Sequence, residues 1–128
     1  MNQRLEQSPL AVYQQHLAQG ELAYQWDSQS GRAVFYPRVA GPGTGNRELE
    51  WRVSGGLGTV YATTVVHPRE GEPYNVCLID IDEGFRMMSR VRGIAPSDVR
   101  IGMRVKVAIH EPGGDHPPHP VFDILQGA

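Results

Sequence analysis

The stretch from Gly55 to Arg92, GGLGTVYATTVVHPREGEPYNVCLIDIDEGFRMMSRVR, decides the fold of this chain. A glycine cluster opens it. Runs rich in β-branched and aromatic residues follow, separated by Pro, Gly and Glu, as in consecutive short antiparallel strands. Thr59 to His67 reads as one strand, and Pro68 to Pro73 as a polar loop. Tyr74 to Asp82 is apolar on both faces, which predicts a central strand, and Asp82-Glu83-Gly84 is a tight-turn signal. Phe85 to Arg92 forms the next strand. Phe85, Met87 and Val91 share one face, and Arg86, Met88, Arg90 and Arg92 share the other.

The pattern continues outward in both directions. Glu48 to Ser54 alternates, with Leu49, Trp51 and Val53 on one face, and is expected to be the first barrel strand. Gly55, Gly56 and Gly58 permit a bulge or sharp bend after it. Gly93 to Asp98 is a connector, Arg104 to Ile109 alternates again, and Val121 to Leu125 closes the series after a Pro/Gly-rich loop. This succession predicts a mainly β protein built on a five-stranded Greek-key barrel of the OB type over residues 48–128.

The first 47 residues read as an attachment in two pieces. In residues 1–20, Ser8 followed by Pro9 is a helix-start signal, Leu10, Tyr13 and Leu17 recur at helical spacing, and Gly20 supplies a stop. Such a short helix must dock its apolar stripe, on the barrel or on a partner protein. Residues 21–47 hold two short strands, Leu22 to Trp26 and Ala33 to Tyr36, with little apolar mass. A segment of this kind needs a staple or a surface to pack on. It has neither Cys nor His, so packing must hold it.

Composition narrows the function. The net charge of −2 gives no global field for nucleic acid. No apolar run approaches the ~20 residues of a membrane helix, and the N-terminus carries no long apolar segment of a signal peptide. The lone Cys77 fits the reducing cytoplasm. Lys106 is the only lysine, all other basic residues being Arg. Arg suits planar contacts to phosphate or carboxylate, although a genome-wide bias gives the same preference.

The chain shows no P-loop, GxSxG, HExxH or GxGxxG, and it is not expected to be an enzyme by itself. Cys77 sits mid-strand and reads as core. Asp80, Asp82 and Glu83 read as a solvated strand end, with an acid/base or cation site as the sharper reading. His110, His116 and His119 flank prolines that keep them apart. Two sets of residues are candidates for binding. Arg86, Arg90, Arg92, Arg104 and Lys106 form a basic patch if their strands lie close, suited to CoA phosphates or to single-stranded nucleic acid. Leu10, Tyr13, Leu17, Trp26, Phe35 and Tyr36 offer either a partner surface or extra core.

LEWRVSGGLGTVYATTVVH, PYNVCLIDIDEGFRMMSRVRG and DVRIGMRVKVAI, in this order from Leu49 to Ile109, resemble the acyl-CoA-associated zinc-ribbon/OB-fold family, long filed as a domain of unknown function. The resemblance implies an N-terminal helix, a rubredoxin-like zinc ribbon and an OB barrel. The family's two CxxC pairs fall here on Asp27 and Ser30, and on Gly41 and Thr44. With the thiolates gone, a degenerate, metal-free ribbon and no cofactor are expected. The resemblance further implies a non-catalytic partner of a thiolase-like enzyme (thiolase, lipid-transfer-type thiolase or aldolase) that helps bind acyl-CoA, with a homodimer left open. The competing classes are a nucleic-acid-binding OB module and a free-standing enzyme on acyl-CoA.

Overall fold

The computed structural model describes residues 8–111, 113 and 117–125. Its elements in order are α1 (Pro9–Ala18), β1 (Ala23–Asp27), β2 (Arg32–Val34), β3 (Glu50–Val53), β4 (Leu57–Val66), β5 (Tyr74–Ile81), β6 (Phe85–Ser89), β7 (Val91–Arg92), a 3-10 turn (Pro96–Asp98), β8 (Arg104–His110) and β9 (His119–Ile124). The mainly β expectation holds.

The helix starts where its sequence says. The Ser8 hydroxyl accepts the Ala11 amide at 3.1 Å, and Gly20 takes φ +83° just past the end. Tyr13 and Leu17, one turn apart, are buried, whereas Leu10 is 54% exposed. Tyr13 meets Phe35 edge-on at 5.6 Å, and His16 stacks on Trp51 at 5.9 Å. The helix is therefore docked within its own chain. Tyr13 and Leu17 belong to the core and leave the expected partner surface.

A three-stranded antiparallel sheet of order β2-β1-β3 follows. Here the structure corrects one assignment. Glu50–Val53 does not enter the barrel; it pairs with β1, with Gln25 opposite Trp51 and Trp26 opposite Glu50. The chain then bends at Ser54–Gly56. Glu83, in the β5–β6 turn, accepts the Ser54 hydroxyl at 2.7 Å and the Gly55 amide at 2.8 Å. Gly56 sits at φ +81° against the Val107 side chain, where a Cβ has no room.

The remaining strands close a barrel. Their hydrogen-bonded order is β6-β5-β4-β8-β9-β7. β6 and β7 are one strand interrupted at Arg90, so five strands complete the circuit, with β7 and β9 parallel and the other pairs antiparallel. Alternation fixes which residues point in. Cys77, Ile79 and Ile81 of β5 and Phe85 and Met87 of β6 are buried, joined by Val60, Val105 and Phe122. Each such side chain contributes about 1.5–3 kcal/mol through burial. At Gly58 the strands approach so closely that an added Cβ would stand 2.8 Å from the Asp80 carbonyl oxygen.

The ribbon-like sheet shares this core. Tyr24 and Phe35 pack on Phe85 with ring centroids 5.0 Å and 4.8 Å apart. The segment short of apolar mass is thus supported by the barrel.

Candidate functional site

Three places on this frame bear on function: the ribbon tip, the Arg-bearing outer face, and a groove at the barrel seam.

At the tip, Asp27 ends β1 and is fully buried. Its Oδ1 accepts the Asn46 side-chain amide at 2.9 Å and the Gln29 backbone amide at 3.0 Å, and its Oδ2 accepts the Thr44 hydroxyl at 2.7 Å. These bonds, with Asn46 first and Thr44 second, hold the Asp27 carboxyl down at about 2. Gly41 lies against the same carboxylate: an added Cβ would collide with Asp27 Oδ2 and stand 2.7 Å from Thr44 Oγ1. Ser30 is exposed, and its hydroxyl reaches only the Asp27 carbonyl at 3.5 Å. So the fold brings Asp27, Gly41 and Thr44 together, and the space between them is filled by the Asp27 carboxylate. One carboxylate, one hydroxyl and one amide are not the Cys/His donor set of a structural zinc. The residues present do not fit that metal. Asn46 is the member that sequence reasoning missed; only its place beside a buried carboxylate reveals its role.

The outer face corrects the basic patch. Arg86, Asp80, Thr59 and Arg104 stand opposite one another across β6, β5, β4 and β8. Arg92, Asp123 and Lys106 form a second row across β7, β9 and β8. Cations and carboxylates therefore interleave. Arg86 holds Asp80 at 2.6 Å, Arg92 holds Asp123 at 3.0 Å, and Arg104 grips Asp82 with two bonds of 2.8 Å. Hydrogen bonding to these carboxylates raises the three guanidinium pKa values, and Arg104 in turn holds Asp82 below the usual carboxylate range. Arg86 also lies 3.5 Å over the Tyr61 ring. Lys106 and Arg90 have no ion-paired carboxylate among the described residues, but Arg90 stands apart from both rows, at the break between β6 and β7. The five cations do not make one free patch.

That break is also a seam in the barrel. Asn75 bridges it from within, its side-chain amide donating to the Val91 carbonyl at 3.0 Å and its oxygen accepting the Val91 amide at 2.9 Å. Outside, a groove of about 600 Å³ opens between β6 and β9. Tyr13, Tyr36, Tyr74 and Met88 line it, together with Arg90, His110 and His119. Burial first, and then Tyr36, push the Tyr13 hydroxyl up to about 12. The Tyr36 hydroxyl accepts the Met88 amide at 3.1 Å, joining the ribbon-like segment to the barrel edge.

The remaining candidates are engaged. Glu83 pins the bend, and the Cys77 thiol is buried within 3.3 Å of the Thr63 hydroxyl. His110 and His119 oppose each other with ring centroids 5.1 Å apart, and His116 lies outside the described residues. No cluster of three metal-ligating side chains occurs among the described residues. No helix among them is long and apolar enough to cross a membrane. Of the partner-surface residues, Trp26 and Phe35 are half-buried, with Arg52 lying 4.5 Å over Trp26, and Leu10 and Tyr36 are exposed.

Five strands in this circuit, joined through a short 3-10 turn and carrying a ribbon-like sheet and helix, define an OB-fold barrel with an N-terminal appendage. Residues 51–110 match the family described as ChsH2, C-terminal OB-fold domain. The chain is 37% identical over 62 residues to the 3-oxo-4,17-pregnadiene-20-carboxyl-CoA hydratase alpha subunit of Mycobacterium tuberculosis, covering 45% of this chain and 20% of that one. It is 38% identical over 68 residues to a DUF35 domain-containing scaffold protein of Methanocaldococcus jannaschii, covering 47% of this chain and 48% of that one. The matches thus span less than half the length of these curated relatives. A chain of the solved structure described as Ltp2-ChsH2(DUF35) aldolase superposes with a TM-score of 0.79 at 27% identity, covering 92% of this chain and 95% of that one. The family resemblance read from the sequence is borne out, and the relatives are named as a scaffold or as parts of larger enzymes.

Proposed function

We propose that this chain is a non-catalytic accessory subunit that associates with a thiolase-like enzyme acting on acyl-CoA in the cytoplasm. The observation that carries this reading is the superposition on the Ltp2-ChsH2(DUF35) aldolase chain over nearly the whole length of both. The side-chain chemistry supports it. Asp27, Asp80, Asp82 and Glu83 are each held in hydrogen bonds or ion pairs, and Cys77 is buried, so none is poised for proton transfer or attack. The exposed Leu10 and Tyr36 are proposed as contact points for the enzyme. The ion-paired outer face favours a scaffold over the alternative of a single-stranded nucleic-acid module, which needs free cations and stacking aromatics.

Co-expression with thiolase-like proteins encoded beside this chain tests the proposal. The expected result is a stable complex on size exclusion, with turnover only when the enzyme is present. A chain that stays monomeric or homodimeric and retains no such enzyme, or that turns over acyl-CoA alone, overturns it.

A further inference from the structure

We infer that the groove at the β6–β9 seam binds an amphipathic organic anion, an apolar chain whose acidic head lies at Arg90 and the two histidines. The inference deepens the reading above by naming a ligand class for this chain itself, and rests on that reading only for the origin of the ligand.

Size comes first. About 600 Å³ falls within the range of roughly 300–1,000 Å³ usual for small-molecule sites. The lining is apolar in body, with Tyr74 and Met88 42% and 58% exposed. Charge comes next. Among the described residues no Asp or Glu lines the groove, whereas Arg90, His110 and His119 do. This is the reverse of the outer face, where the arginines of β6, β7 and β8 each have a carboxylate partner. The hydroxyls lean the same way. Tyr36 spends a lone pair on the Met88 amide and keeps its proton to donate. Tyr13, with its pKa raised to about 12, also stays a neutral donor. An apolar trough edged by hydrogen-bond donors and the Arg90 guanidinium, with no carboxylate among its described lining residues, is complementary to an anion with a greasy tail.

The seam is poorly suited to the other obvious occupant, an added peptide strand. Strand addition needs free backbone groups along an edge. The Met88 amide is already taken by Tyr36, Pro120 has no amide hydrogen, and its carbonyl accepts the Ser89 hydroxyl at 3.0 Å.

Calorimetric titration of the 128-residue chain with laurate, dodecyl phosphate and dodecanol tests this. The two anions are expected to bind at least tenfold more tightly than the alcohol. Arg90→Ala is expected to weaken the anions about tenfold and leave dodecanol unchanged. Met88→Glu, at an exposed position, is expected to weaken all three. Unchanged thermal midpoints verify that both variants fold. Lauroyl-CoA binding more tightly than laurate assigns the anion to CoA phosphates, and the reverse order assigns it to a free acid; both support the site. Equal affinity for laurate and dodecanol, absence of binding, or indifference to Arg90→Ala overturns it. So does a Met88→Glu variant that keeps laurate but loses a co-purifying enzyme, since the groove is then a protein contact. Laurate binding without any co-purifying enzyme leaves the groove standing and removes the accessory reading, so the two fail separately.

Discussion

The ribbon-like segment and the barrel keep short strands in place by different means. In the barrel, inward side chains such as Ile79, Met87, Val105 and Phe122 fill a common interior, and the restraint is spread over volume. In the ribbon tip, one buried carboxylate receives three hydrogen bonds, and the restraint is concentrated in directional contacts around Asp27. The barrel is accordingly sensitive to lost volume. The tip is sensitive to a proton or to a single added carbon.

Substitutions that separate these modes give graded effects. The largest is expected from Phe122→Ala, at a fully buried position, with a loss of about 3–5 kcal/mol in urea unfolding. Because Tyr24 and Phe35 pack on the same core through Phe85, ribbon and barrel should unfold together in this variant. Retained amide protection at Gly41 and Gly45 would show instead that the ribbon stands alone. Next comes Gly41→Ala, which pushes a methyl into the Asp27 carboxylate and should cost roughly 1–3 kcal/mol by crowding. Combining it with Asp27→Ala should cost less than the sum of the two. Strict additivity would mean that the crowding is relieved elsewhere.

Acid provides the third contrast. The folded-state Asp27 carboxyl lies at about 2, below its ordinary 3.8, so its ionised form favours the folded tip above pH ~4. That contribution is lost as pH falls from about 4 through 2. Amide exchange at Thr44–Asn46 should accelerate across this window, and Asp27→Asn should flatten the response. Asp82, also held low by Arg104, adds acid sensitivity of the same sign on the barrel. Asp82→Asn therefore serves as the control that should leave the tip's titration in place. The smallest effect is expected for Arg92→Ala. Its pair with Asp123 is screened by water, and the change in stability should stay within about 1 kcal/mol and shrink further with salt.

Alternation and punctuation made much of this fold readable before any coordinates. β4 to β9 lie close to where the apolar patterns put them, and Ser8 caps the helix as its pairing with Pro9 predicts. What alternation does not encode is the partner. The ELEWRVS run is a strand under either assignment, and only the register with β1 takes Glu50–Val53 away from the barrel. The arginines face outward as the sequence implied. Their neutralisation depends on Asp80 and Asp123 lying opposite them on other strands, and on Asp82 reaching Arg104 across the sheet. The stripe of α1 illustrates a similar limit, since helical spacing says that Tyr13 and Leu17 must dock but not on which surface, and the structure places them in the core. The groove is not legible in the sequence because its lining comes from α1, the segment after β2, and the ends of β5, β6, β8 and β9. One signal was present. Met88 stands between Arg86 and Arg90 on the solvent-facing side of its strand, an exposed apolar side chain between two arginines.

The tip formed by Asp27, Thr44 and Asn46 has a consequence for how the molecule meets its surroundings. A knuckle built on thiolates follows the supply of an ion and offers sulfur to peroxide. This one is closed by oxygen and nitrogen atoms that arrive with the polypeptide. Chelators and oxidants, which open ordinary ribbons, therefore have nothing at this tip to strip away or attack, and its shape is set from translation onward by the chain alone.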